Sequence, residues 1–224
     1  MHTLELAVHK PQSTARTWAA LAFCLFIILP IRLFINRISP QPTVFGDGLR
    51  EALILGCAGG LLLYVHFGEK LPFTSIGIGT SVWWKSALWG MATAAVCLVA
   101  AGGIMYLTKF DGGPHAHDFE KLPLWLVTVI VFRAGFVEEL FYRGFPIERL
   151  QSLGWPRAAS ALVPLVIFAA MHYTGGPVNI LMSFTLGGIL AAFYLWRRDL
   201  VANIIGHFLV DFIANVVPRL FGAH

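Results

Sequence analysis

Apolar residues dominate seven stretches of this chain, roughly 17–36, 50–67, 83–107, 122–143, 157–173, 178–196 and 200–217. A helix that crosses a bilayer needs about 20 mostly apolar residues. The pattern therefore predicts an all-α, polytopic integral membrane helix bundle of about seven transmembrane helices, several at the short limit. The breaks between the runs read as turns. SPQPTVFGDG (39–48), SLGWPR (152–157) and TGGP (174–177) are rich in Gly and Pro, the residues that punctuate regular structure. GEKLPFTSIGIGTS (68–81) and RRD (197–199) are further connections, and TKFDGGPHAHDFEK (108–121) is the most polar of them. No repeat, low-complexity tract or soluble domain interrupts this order. The expected organisation is a tail over 1–16 and one membrane domain over 17–220.

Composition points the same way. The 224 residues are 57% hydrophobic and 12% charged, against about 25% charged in soluble domains. The net charge of +4 comes from basic residues that lie mostly between apolar runs, where they act as topology signals. No Lys/Arg-rich block suits nucleic acid. Lys10 and Arg16 precede the first run, and the second half of the chain continues the bias, so the N-terminus is expected on the cytoplasmic side. Pro30, Arg32 and Asn36 follow where a small-residue cleavage site would be, which makes the first run an uncleaved span. Cys24, Cys57 and Cys97 lie within apolar runs as packing residues. Trp83, Trp84 and Trp89 read as an interfacial belt.

Ionisable residues inside spans are rare and read as functional. Arg32, Arg133, Glu138, Glu139, Arg143, His172, His207 and Asp211 are the candidates. Arg32 is expected to snorkel from its helix end. Treating 122–151 as one helix, with Gly144 and Pro146 as points of bending, puts Glu139 and Arg143 four residues apart on one face, oriented for an ion pair. Glu138 is then turned about 100° away and is expected to be the unpaired acid. Arg133 needs a counter-charge that the sequence does not name.

Depth brings further groups to the same level. Glu138 lies about 21 Å of helix before the turn at Ser152, and His172 about 22 Å after Arg157. His207 and Asp211 lie about 12 and 18 Å up from Asp199 on one helix face. A buried carboxylate with imidazoles can activate water and steady an oxyanion. Amide hydrolysis needs those roles and no organic cofactor. His115, His117 and Asp118 are a solvated loop in this reading, since nothing nearby completes a metal site.

Three segments carry a resemblance. EELFYR (138–143) fits Glu-Glu-x-x-x-Arg, FAAMH (168–172) fits Phe-x-x-x-His, and HFLVD (207–211) fits His-x-x-x-Asn/Asp. Over roughly 120–217 the chain resembles the CPBP family, named for CAAX proteases and bacteriocin-processing enzymes and also called Abi, whose eukaryotic members are type II CAAX prenyl endopeptidases. The resemblance implies an intramembrane endopeptidase acting on a membrane-associated peptide or lipidated protein. Glu138 and His172 would activate water, His207 and Asp211 would serve the oxyanion, and Glu139 and Arg143 would support the site. Asp211 stands where the prenyl endopeptidases have Asn, and an ionised Asp accepts hydrogen bonds without donating them. It is therefore either protonated or a group that orients His207. The alternatives are a zinc-dependent membrane protease with His172, His207 and Glu138 or Asp211 as ligands, and a transporter or non-catalytic scaffold using the same buried groups. No HExxH helix supports the zinc reading, and no repeated halves support the transporter.

Overall fold

A computed structural model describes residues 13–110, 112 and 119–221. Residues 1–12 of the expected tail, with Lys10, and the loop residues His115, His117 and Asp118 lie outside the described residues. Among the described residues all regular structure is helical: α1 (Thr14–Phe26), α2 (Ile28–Ile38), α3 (Val44–Leu63), α4 (Trp83–Thr108), α5 (Leu124–Arg133), α6 (Phe145–Ser152), α7 (Arg157–Ala170), α8 (Gly176–Arg197), α9 (Leu200–Asn215) and the short α10 (Val217–Leu220). The protein is an all-α membrane bundle. Val99 is 78% exposed and Leu107 79% exposed. Apolar surface of that kind belongs against lipid.

The apolar runs form helices of unequal length. Among the described residues three helices are long and apolar enough to cross a membrane, Val44–Gly68, Trp83–Thr108 and Tyr173–Arg197, and α1 with α2 makes a fourth span if the bent pair is counted as one. That pair is bent by 43°. Pro30 supplies the cause, because it has no N–H for the Phe26 carbonyl and its ring crowds that carbonyl. The apolar helices α7 and α9 are shorter. α9 begins where its apolar run does, behind the N-cap Asp199, whose carboxylate accepts from the Ala202 N–H at 3.1 Å, while α7 and α9 end at Ala170 and Asn215, before their apolar runs do. The run 122–143 is not a single α-helix. After α5 it passes through two π-helical turns, Ala134–Glu138 and Leu140–Gly144, before α6.

At the ends of α6 and α8 two ionic clusters, one buried and one half-buried, lock the bundle. Arg149 reaches Glu69 at 2.7 Å and donates to the Ser75 carbonyl at 3.1 Å. Glu148 accepts from Tyr194 at 3.0 Å and is also paired with Arg198. Nearer the site, α9 packs along α4, and it also meets α5, α8 and the first π turn. Small residues allow the close approach. A Cβ at Gly90 would lie 2.7 Å from Ile205 Cγ2 and 2.9 Å from the Ala202 carbonyl, and one at Gly206 would lie 3.1 Å from the Gly90 carbonyl. Gly90→Val is therefore expected to cost about 1–3 kcal/mol by overpacking, read as a lower unfolding temperature in detergent. Gly103→Ala, where a Cβ meets nothing within 4 Å, should leave that temperature unchanged or raised.

Candidate active site

The first π turn explains the local chemistry. Residues five apart face about 140° away from each other on an α-helix, but i→i+5 is the repeat of a π turn. Arg133 and Glu138 are five apart, and Arg133 Nη1 donates to Glu138 Oε1 at 2.9 Å. Arg133 Nε also donates to Glu51 Oε2 on α3 at 2.5 Å. The expectation of an unpaired Glu138 is thus overturned, and the counter-charges of Arg133 are Glu51 and Glu138. One oxygen of Glu138 remains uncommitted to Arg133: Oε2 lies 4.0 Å from His207 Nε2.

Glu139 points into the bundle. It is fully buried and accepts from Arg143 at 2.9 Å, as the four-residue spacing predicts. It also accepts from Asn203 Nδ2 at 2.9 Å and meets His207 Nδ1 at 2.8 Å. An ionised carboxylate only accepts, so Nδ1–H of His207 is the donor. Glu139 therefore fixes the ring of His207 and leaves Nε2 on the cavity side, where Asp211 Oδ2 lies 3.5 Å away. The orienting contact to His207 is made by Glu139, while Asp211 faces the other nitrogen.

His172 ends the α7 arm. Its Nδ1 lies 2.8 Å from the Phe168 carbonyl, one turn back. A carbonyl accepts, so Nδ1 carries a proton, and Nε2 is the ring nitrogen left for the cavity that His172 lines. Phe168 is the platform of the site. Its ring stands edge-on to His172 at 4.6 Å, and the Arg143 guanidinium lies over it at 4.3 Å. These contacts give the Phe of FAAMH a structural reason.

Glu138, His172, His207 and Asp211 line one cavity of about 350 Å³, together with Arg32, Arg133, Asn179 and Ser183 among others. Glu139 and Arg143 lie behind its wall. A second cavity, lined by Asn36, Gln41 and Asp47 among others, shares Arg32, Arg50 and Phe119 with the first. Arg32 donates to the Met171 carbonyl and to Thr174, both at 3.2 Å, so it is held at the mouth of the site by the residues around His172.

Sequence reasoning missed Glu51 and Asn203. Asn203 could have been found, because it lies four residues before His207 and so extends the polar stripe of α9. Glu51 stands at the start of the apolar run 50–67, and no helical spacing ties it to a residue of another run. Among the described residues no three His, Cys, Asp or Glu converge as metal ligands. Glu138 and Glu139 each carry an arginine, and His207 Nδ1 is engaged by Glu139.

Residues 120–213 match the family model described as type II CAAX prenyl endopeptidase Rce1-like. The matched segment contains Glu138, Glu139, Arg143, His172, His207 and Asp211, and the helices before residue 120 lie outside it. No curated protein and no solved structure gives a significant match. The apolar helices mark the chain as an integral membrane protein, and its residues 120–213 are similar to the Rce1-like family of CAAX endopeptidases.

Proposed function

We propose that the protein is an intramembrane endopeptidase that hydrolyses a peptide bond of a membrane-associated peptide or lipidated protein, using water activated by Glu138 and His172. The observation that carries this reading is the single cavity onto which Glu138, His172, His207 and Asp211 all face. Water between Glu138 Oε2 and His172 Nε2 gives up a proton to this pair as its oxygen attacks the carbonyl carbon. The carbonyl oxygen becomes an oxyanion, to which His207 donates from Nε2–H. With Nδ1–H already given to Glu139, that role requires the imidazolium form, with Asp211 as its counter-charge on the cavity side. The proton held by Glu138 and His172 then passes to the leaving amine as the C–N bond breaks. No metal and no organic cofactor is needed.

The test is cleavage of lipid-anchored and transmembrane peptides by protein reconstituted in liposomes, with and without o-phenanthroline. Cleavage should persist under chelation. His172→Ala should lower kcat/KM by roughly 100-fold or more in a protein that elutes and unfolds like wild type. Cleavage that stops on chelation and returns with added zinc would replace this reading by the zinc-dependent one.

A further inference from the structure

We propose that Glu51 is a positioning residue for this reaction, acting on Glu138 through Arg133. The inference rests on the reading of Glu138 as the base. Arg133 is 8% exposed and Glu51 is 2% exposed. The two carboxylates use different nitrogens of one guanidinium: Nε serves Glu51 at 2.5 Å and Nη1 serves Glu138 at 2.9 Å. That group is planar and rigid, so fixing one edge fixes the other. Glu51 is itself held from behind. Its Oε1 accepts from Arg50 Nε at 3.0 Å, and Arg50 Nη2 meets Asp47 at 2.7 Å. Five side chains of alternating charge thus run from the first turn of α3 to the catalytic cavity.

Two consequences follow for Glu138. Its Oε1 is taken, which turns Oε2 toward His207 and the cavity. The charge of Arg133 is also shared between two anions. Without Glu51, the guanidinium is free to close on both oxygens of Glu138 and occupy the one needed for water. Without Arg133, Glu51 and Glu138 face each other with no cation between them. Glu51 lies outside the matched segment 120–213, so this contact ties the upstream helices to the chemistry.

The experiment compares kcat and KM for wild type, Glu51→Gln, Arg133→Gln and the double variant in liposomes, with unfolding in detergent as a control. Glu51→Gln should lower kcat roughly tenfold to a hundredfold with KM unchanged. Arg133→Gln should lower kcat at least as much, and the double variant should be no slower than Arg133→Gln alone, because Glu51 acts only through Arg133. Glu51→Asp, which keeps the charge, should recover most of the rate. A folded Glu51→Gln protein with wild-type kcat, losses that multiply in the double variant, or a loss carried by KM would overturn the proposal. Should Glu51→Gln not fold, Arg133→Lys decides. It keeps the charge but offers no two-edged fork, so a lowered kcat supports the proposal and a wild-type kcat overturns it. Glu138→Gln separates the two readings. Full activity there removes Glu138 as base, whereas an inactive Glu138→Gln beside an unaffected Glu51→Gln removes only the role of Glu51.

Discussion

Glu138→Gln is expected to reduce cleavage by roughly 10²–10⁴-fold, the contribution of a positioned general base, while the protein still folds. Glutamine keeps the shape of the side chain and its carbonyl oxygen can still accept from Arg133, but the amide cannot take up the proton of the attacking water. The fold should tolerate the change because Arg133 retains Glu51 at 2.5 Å, so no buried cation is stranded. The measurement is kcat/KM on a membrane-anchored peptide, beside size-exclusion and thermal-unfolding profiles. Glu139→Gln provides a contrast, since Glu139 holds Arg143, Asn203 and His207 together. Its loss should lower stability as well as rate. A folded Glu138→Gln protein that cleaves at the wild-type rate would sink the mechanism.

Arg143→Ala is expected to destabilise the bundle by about 3–5 kcal/mol, the usual cost of breaking a buried ion pair. Both partners are fully buried. Removing the guanidinium leaves the Glu139 carboxylate in an apolar interior with only Asn203 and His207 as donors. It also removes the cation from the face of Phe168, a contact worth up to about 2 kcal/mol when desolvated. The site is shaped around that group: a Cβ at Gly187 would come within 2.6 Å of Arg143 Nη2. The double variant Glu139→Gln/Arg143→Met, which buries no net charge, should recover most of the loss. Unfolding in detergent checks both expectations. An Arg143→Ala protein as stable as wild type would show that the pair is not what holds α8 and α9 against the π turns.

Much of this was open to sequence reasoning because it depends on local periodicity. The apolar runs pointed to a helical membrane bundle, and a spacing of four residues was enough to pair Glu139 with Arg143. Depth counting along the helices placed Glu138, His172 and His207 at comparable levels, and they face one cavity. Where local rules were misapplied, the reason is identifiable. The break at Ile27 follows from Pro30.

What the sequence by itself determined is the class of the protein and the stock of polar groups carried on its membrane helices. Only the tertiary structure decided how those groups are shared. An α-helical wheel separates Arg133 from Glu138, and the π turn at Ala134–Glu138 brings them together. No periodicity connects Glu51 to Arg133, 82 positions away, or Glu139 to His207, 68 positions away. Both contacts exist because α3 and α9 pack against the same turn, and in a low-dielectric interior a charge takes whatever partner the packing delivers.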